Sequence, residues 1–306
     1  MTVINTNVNA LQATAASNSA AAMTSQAMTR LSTGLRINSA SDDAAGLAIA
    51  TSMTSQINGM NQGIKNANDG ISLAQTAEGS LTEVTNMLQR IRELAVQSSS
   101  GTYSSTDRDQ MQQEVTSLTG QISNIITSTK FNGVNLFSSS AGASGSGVSF
   151  NIQAGANNLT TDQVKITASD FDSSQFGTAS ASYTGTTATV TGFQVNDNVT
   201  TTGGTTTYDG HGADYALKTI DNVDSMLANV AKVDASFGAG QSQLQSSVNN
   251  MTNSVTNLSA ARSRIEDTDY SAESTAMAKA QILSQASTAM IAQANQSQQN
   301  VLTLLK

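Results

Sequence analysis

Apolar side chains recur every three or four residues over two long stretches of the chain, one in each half. The positions in the first stretch are Ile57, Ile64, Ile71, Leu81, Leu88 and Ile91. Those in the second are Leu227, Val230, Val248, Met251, Val255 and Leu258. Such spacing, sustained over several heptads, is typical of helices that pack as a coiled coil. It predicts a helix over about residues 44–99, roughly 80 Å long at 1.5 Å per residue, and a second over about residues 220–265.

Shorter helical patterns stand at the two ends of the chain. The apolar positions of the first are Val8, Leu11 and Leu31, and those of the last are Leu283, Met290, Val301, Leu304 and Leu305. The first helix is expected to end at Gly34, which precedes a polar run at 38–41. We expect Ser41 to cap the next helix, with Asp42 and Asp43 beside its positive N-terminal end.

The middle of the chain is rich in Gly, Ser, Thr, Ala and Asn. A third amphipathic helix, opening at about Thr106, ends before it in a tight turn at 131–134. Short runs at 148–152, 164–166, 188–190 and 193–195 alternate apolar and polar residues, which predicts β-strands with one buried face. The predicted fold class is therefore mainly α. A long antiparallel, coiled-coil-like helical rod of N- and C-terminal segments carries a small central β-rich module, because each long helix needs an apolar partner and the other is the simplest.

Composition narrows the classes of function. The 306 residues carry a formal net charge of −8 and include no cysteine and no proline. A chain without proline favours uninterrupted helices, and one without cysteine has no disulfide or thiolate chemistry. Binding of nucleic acid needs clustered Lys and Arg, whereas the basic residues here are dispersed. No nucleic-acid partner is therefore expected.

The N-terminal residues show no basic segment followed by an apolar run, so we expect no cleavable signal peptide. We also expect no membrane insertion, because no run approaches the roughly 18 apolar residues that span a bilayer. If the protein leaves the cell, a different export signal must direct it.

Residue types that carry catalysis or ligate metals are sparse. His211 is the only histidine, whereas a metal site usually gathers several His, Cys or carboxylate ligands. The pairs Asp42–Asp43 and Asp267–Asp269 precede predicted helices, where capping explains them. We therefore predict no catalytic, metal or cofactor site, and we expect that the chain is not an enzyme.

Several motifs at both ends resemble those of bacterial flagellins. They are Val3-Ile-Asn-Thr-Asn7, Leu31-Ser-Thr-Gly-Leu-Arg-Ile-Asn-Ser-Ala-Ser-Asp-Asp-Ala-Ala-Gly-Leu47, Asn68-Asp-Gly70, Gln89-Arg-Ile-Arg-Glu-Leu-Ala-Val-Gln97, Phe131-Asn-Gly133, Arg264-Ile-Glu-Asp-Thr-Asp-Tyr270 and Asn300-Val-Leu-Thr-Leu-Leu305. The resemblance covers about residues 1–137 and 215–306 and is absent from the middle. It implies a structural subunit that polymerises into the extracellular flagellar filament for swimming motility.

The resemblance also implies a division of the chain. Residues 1–43 and 268–306 would be the helical segments of the filament core, assembling through the apolar positions of the two end helices. Residues 44–175 and 215–267 would be the two parts of a rod domain, with 176–214 as a small variable β-rich outer segment. Short Ala-rich helices are marginal alone. We therefore expect about residues 1–40 and 268–306 to be disordered in the monomer and to fold on assembly.

The partners that the resemblance implies are further copies of the chain, the hook-associated and cap proteins, and an export chaperone at the C-terminal helix. Export would use the flagellar type III apparatus. Recognition by the vertebrate Toll-like flagellin receptor is implied for Gln89, Arg90, Leu94 and Glu114, with Arg90 as the anchor. The main purpose of that surface is expected to be packing against neighbouring subunits.

Two other functions fit parts of the same pattern. A hook–filament junction protein would share the helical ends but occur in few copies, although the C-terminal motif favours a flagellin. A surface adhesin would use the central β segment as its binding site. An enzyme is the weakest alternative, since no catalytic constellation is present.

Overall fold

The computed structural model describes residues 6–137, 148–168, 180–184, 187–197, 199–202 and 205–304. In these residues the helices are α1 (Val8–Thr33), α2 (Ala44–Ser98), α3 (Ser105–Ser128), α4 (Gly212–Glu266) and α5 (Tyr270–Leu304). The strands pair antiparallel as β1 (Lys130–Phe131) with β2 (Val134–Asn135), β3 (Val148–Gln153) with β4 (Gln163–Ala168), β5 (Ser180–Thr184) with β6 (Thr187–Thr191), and β7 (Val199–Thr202) with β8 (Thr205–Tyr208). The prediction of a mainly helical chain with a small β-containing middle is confirmed.

The start of α2 differs from the expectation that Ser41 caps it. The Oδ1 atom of Asp43 accepts the backbone N–H of Gly46 at 2.9 Å, so Asp43 is the capping residue. Asp42 instead closes the preceding loop, since its carboxylate accepts hydrogen bonds from the hydroxyl and the backbone N–H of Ser39. These bonds hold the pKa of Asp42 below its ordinary value, the hydroxyl contributing most. Ser41 lies two residues before the capping position, too early to reach the free N–H groups of the helix.

The chain divides into two compact units. The terminal unit contains Met1–Asn58 and Ser254–Lys306, and the central unit contains Gly59–Asn253. Helices α2 and α4 contribute residues to both units. The terminal unit also contains α1 and α5, and the central unit contains α3 and the strands.

The core of the central unit lies between α2, α3 and α4. Its largest buried side chains include Leu88, Ile122 and Phe237, each fully buried. The β3–β4 hairpin covers this core with Ile166, which is also fully buried. The ring of Phe237 packs edge-on against that of Phe137 at 6.4 Å between centroids.

Helices α2 and α4 pack antiparallel within the central unit. A Cβ atom at Gly70 of α2 would lie 3.0 Å from Cδ1 of Leu244. Further along α2, Arg92 Nε donates to Asp224 Oδ1 at 2.7 Å. The contact position in α4 falls as that in α2 rises, which defines the antiparallel direction.

Two glycines of α4 offer a test of this packing. A Cβ atom at Gly240 would lie 2.7 Å from Cγ1 of the buried Ile166, whereas one at Gly238 would meet nothing within 4 Å. We expect Gly240→Ala to lower the free energy of unfolding, because overpacking costs about 1–3 kcal/mol and outweighs the gain in helix propensity. Gly238→Ala should raise it by about 1 kcal/mol. Urea unfolding of both variants measures whether each substitution lowers or raises the free energy of unfolding. Stabilisation by Gly240→Ala would contradict the described packing of the β3–β4 hairpin against α4.

Two features of the middle differ from the sequence-based prediction. Residues 193–195 do not form a strand, although their alternation predicts one. Conversely, the alternation did not reveal β5, β7 and β8, which are rich in Ser and Thr. Their sequences hold few large apolar residues, on whose alternation the prediction relied.

Candidate assembly interface

The terminal unit is built on a contact between α1 and α5 that uses very small side chains. The buried residues of α1 are Ala13, Ala20 and Ala27, one every seventh position. On α5, Ala280 and Ser287 are buried, again seven residues apart. Side chains of this size let two helices approach closely, but they bury little apolar area. A single buried CH₂ group contributes only about 0.8 kcal/mol.

Polar contacts fix the direction of this pair. Asn7 accepts the backbone N–H of Ala10 as the cap of α1, and its Nδ2 donates to the carbonyl of Ala294 at 3.2 Å. Near the other end of α1, Arg30 Nη1 lies 3.6 Å from Glu273 Oε2. The start of α1 therefore lies beside the end of α5, and the two helices are antiparallel.

A short backbone link joins the two turns at the base of this pair. Gly34, in the left-handed conformation at φ 74°, ends α1 and accepts the N–H of Thr268 at 2.9 Å. Leu35 forms an antiparallel bridge with Asp267. Arg36 donates its backbone N–H to Glu266 at 2.6 Å. This arrangement holds the α1–α2 and α4–α5 connections together.

The outer faces of α1 and α5 leave large apolar side chains in solvent. They are Val8, Leu11, Met23, Met28, Ile282, Leu283 and Met290, with Leu11 62% exposed, Ile282 66% and Met290 64%. Leu31 is half-buried. Met28 lines an open groove of about 770 Å³, together with Thr24 of α1 and Ser284 of α5. Exposed large apolar side chains at this density on two neighbouring helices are typical of an interaction surface.

Of the positions that the sequence pattern assigned to filament-core assembly, Val8, Leu11, Leu283 and Met290 are exposed. The side chains of Val301 and Leu304 are not described, and Leu305 lies outside the described residues. The pattern missed Met23 and Ile282. Ile282 directly precedes Leu283, so it falls outside the stripe of every third or fourth residue that was used to choose positions.

The residues predicted for the seam between the two long helices lie on inward faces of their units. In the central unit Leu81, Leu88, Ile91, Val230 and Met251 are buried, and Ile64, Ile71, Leu227 and Val248 are half-buried against them. In the terminal unit Ile57 is buried, and Val255 and Leu258 are half-buried. There Arg262 Nη1 also donates to Thr54 Oγ1 at 3.2 Å.

The proposed receptor residues do not all reach the surface. Arg90 is exposed, and its guanidinium donates to Glu114 at 2.8 Å and to Glu93 at 2.6 Å. The hydrogen bond that Arg90 donates to Glu114, then the one that it donates to Glu93, raises the pKa of Arg90 above its ordinary value. Gln89 is also exposed, but Leu94 is only 2% exposed and packs in the core. Direct contact between Leu94 and a partner would need a rearranged subunit.

A mostly buried segment without regular secondary structure, at 193–197, links the helices of the central unit. Phe193 and Val195 are buried, and the backbone of Gln194 is paired at both polar atoms by one side chain, that of Thr219. Thr219 Oγ1 accepts the N–H of Gln194 at 2.9 Å and donates to its carbonyl at 2.6 Å. Side chains therefore replace the strand partner that the sequence pattern suggested here.

The same segment is tied to the other two helices. Gln112 of α3 accepts the N–H of Val195 at 2.7 Å, and Ser98 at the end of α2 donates to its carbonyl. Asp197, buried at 3% exposure, accepts the N–H of Gly212 at 2.5 Å and so caps α4. We call residues 193–197 the clasp, because they connect the ends of three helices.

Nothing in the described part of the chain gathers three His, Asp or Glu side chains into a group that could ligate a metal ion. His211 precedes α4, with Nδ1 3.7 Å from Asp214 Oδ2 and its ring 6.5 Å from that of Tyr215. Among the described helices, none carries a stretch apolar enough to cross a lipid bilayer.

Comparison with known proteins places these helices in a family. Residues 4–142 match the bacterial flagellin N-terminal helical region, and residues 220–305 match the bacterial flagellin C-terminal helical region. The chain is 42% identical to a flagellin of Xenorhabdus nematophila and 40% identical to a flagellin of Bacillus subtilis. It is 35% identical to flagellin B of Vibrio cholerae. Each comparison covers 99% of this chain and 99% of the relative. The junction-protein and adhesin alternatives are not favoured.

Proposed function

We propose that α1 and α5 form the filament-core contacts of this chain and are completed by neighbouring copies. The premise is that the chain belongs to the bacterial flagellin family and is a structural subunit of the flagellar filament. One observation carries this proposal: the outer faces of α1 and α5 expose seven large apolar side chains while the contact between these helices buries alanines. Packing against further copies would remove those side chains from water. Assembly then contributes stability that the isolated subunit lacks.

The small size of the α1–α5 contact supports folding on assembly. Ordering one residue costs about 1–2 kcal/mol of backbone entropy, and α1 alone spans 26 residues. Its buried side chains, three alanines, recover only a small part of that cost. Residues 1–40 and 268–306 are therefore proposed to be largely disordered in the free monomer and helical in the filament.

Backbone amide exchange tests this proposal on monomer and filament. We expect rapid exchange of α1 and α5 in the monomer and strong protection of both in the filament. Helix α3 serves as the internal control, because its buried face should protect it in both states. Strong protection of α1 and α5 in the monomer would contradict folding on assembly.

The proposed layers of the filament follow the division of the chain that the resemblance to flagellins implies. Residues 1–43 and 268–306 would form the filament core, 44–175 and 215–267 the rod domain around it, and 176–214 the outer segment. The chain would leave the cell unfolded through the flagellar type III apparatus, with an export chaperone covering the apolar face of α5. Hook-associated and cap proteins would contact the filament ends. Mass spectrometry of the filament protein that found a leader removed would contradict this route.

Receptor recognition is proposed for the exposed residues Gln89, Arg90 and Glu114, with Leu94 supporting the helix from the core. Arg90 is already oriented by Glu114, so a partner would meet a fixed guanidinium.

We expect the Arg90→Ala monomer to lose most of its activation of cells that carry the vertebrate Toll-like flagellin receptor. Arg92→Ala is the matched control, because Arg92 lies on the same helix but pairs with Asp224. Equal activation by both variants would contradict the proposal.

A further inference from the structure

The exposure of the methionine side chains differs between the two units of the chain. Of those whose burial the structure describes, the ones with mostly exposed side chains are Met23, Met28 and Met290, at 51%, 57% and 64%. All three lie on α1 or α5. The methionines of the central unit are buried or half-buried, with Met111, Met226 and Met251 each below a tenth exposed.

Methionine is the sulfur target for oxidants in this protein. The sequence contains no cysteine, so no thiolate competes for a peroxide. A peroxide transfers one oxygen atom to the thioether sulfur, which is oxidised to the sulfoxide, while the peroxide is reduced to water. The product is a polar and chiral side chain in place of a flexible apolar one, and methionine sulfoxide reductases reverse the change. Exposed methionines should react before buried ones.

We propose that Met23, Met28 and Met290 are three oxidation-sensitive modification sites whose sulfoxides block addition of the subunit to a filament. The inference rests on the proposed function, since it requires the outer faces of α1 and α5 to be buried between copies. Met28 borders the groove between α1 and α5, so its sulfoxide would place a polar oxygen where a neighbour must pack. A buried oxygen without a hydrogen-bond partner disfavours burial. The methionines become protected once the filament has formed.

The experiment treats purified full-length monomer with limiting hydrogen peroxide, locates the sulfoxides by peptide mass spectrometry and measures growth from filament seeds. We expect Met23, Met28 and Met290 to be oxidised first and the critical concentration to rise about tenfold or more, since a factor of ten corresponds to 1.4 kcal/mol. Treatment with the two methionine sulfoxide reductases should restore growth. Seeds and mature filaments should oxidise more slowly at these positions.

Two variants separate this inference from general damage. The triple variant Met23→Leu, Met28→Leu and Met290→Leu keeps apolar side chains of similar volume and should grow normally after peroxide treatment. The control variant Met53→Leu, Met60→Leu and Met87→Leu should remain sensitive. Unchanged growth of the oxidised protein, or equal inhibition of the triple variant, would overturn the inference alone. Failure of untreated protein to extend seeds would instead contradict the proposed function, and the inference with it.

Discussion

Replacing Leu11 and Ile282 by serine should abolish growth of filaments from seeds while the central unit stays folded. Both side chains are about two-thirds exposed in the subunit, so their loss removes little packing from it. In a filament each would be buried, and full burial of such a side chain contributes about 1.5–3 kcal/mol. The two side chains therefore contribute roughly 3–6 kcal/mol to the free energy of adding a subunit to the filament. Their loss corresponds to a rise of about a hundredfold or more in critical concentration.

Sedimentation of seeded samples over a range of concentrations measures this effect, and circular dichroism checks the fold of the monomer. The matched control replaces Leu159 and Leu217 by serine, since these residues are 57% and 54% exposed but lie in the central unit. We expect the control to extend seeds within a few-fold of the unchanged protein. If the Leu11 and Ile282 variant grew as well as its control, the outer faces of α1 and α5 would not be the assembly surface.

The second large effect concerns the clasp. We expect Thr219→Val to lower the free energy of unfolding of the central unit by about 2–6 kcal/mol. Valine has nearly the same shape as threonine, but it leaves both the N–H and the carbonyl of Gln194 unpaired. Each unpaired buried polar group costs about 1–3 kcal/mol. Urea unfolding of the monomer, followed by helical circular dichroism, measures the loss.

Thr219→Ser provides the control, because serine keeps the hydroxyl that pairs with Gln194 and removes only a methyl group. The Thr219→Ser substitution should lower the free energy of unfolding by at most about 1.5 kcal/mol. If Thr219→Val were as stable as Thr219→Ser, the hydrogen bonds of Gln194 would contribute nothing, and the clasp would be held by the burial of Phe193 and Val195 and by its other hydrogen bonds.

The helical part of this fold could be predicted because heptad spacing records which residues face a partner helix. Leu88, Ile91 and Val230 lie in the core of the central unit, as that spacing suggests. Leu94 shows the limit of motif resemblance. A matching motif assigns it to a binding surface, whereas its place one turn after Ile91 puts it on the buried face.

The middle could be predicted only in part, for a different physical reason. A period of two residues reports that a backbone is extended and buried on one side, but it does not report what pairs with that backbone. At β3 the partner is β4, and at Val195 it is the side chains of Gln112 and Ser98. The sequences of β5, β7 and β8 are rich in Ser and Thr and give no such signal.

The clasp also determines where a foreign peptide can be displayed on this chain. Ser180 and Thr191 are paired neighbours across β5 and β6, so a graft that replaces residues 181–190 begins and ends at adjacent points of the scaffold. Extending the graft past Phe193 would remove buried residues, and extending it past Asp197 would also remove the cap of α4. A vaccine peptide that replaces residues 181–190 should therefore leave the carrier protein folded. A peptide that replaces residues 191–200 would remove the clasp and unfold the carrier.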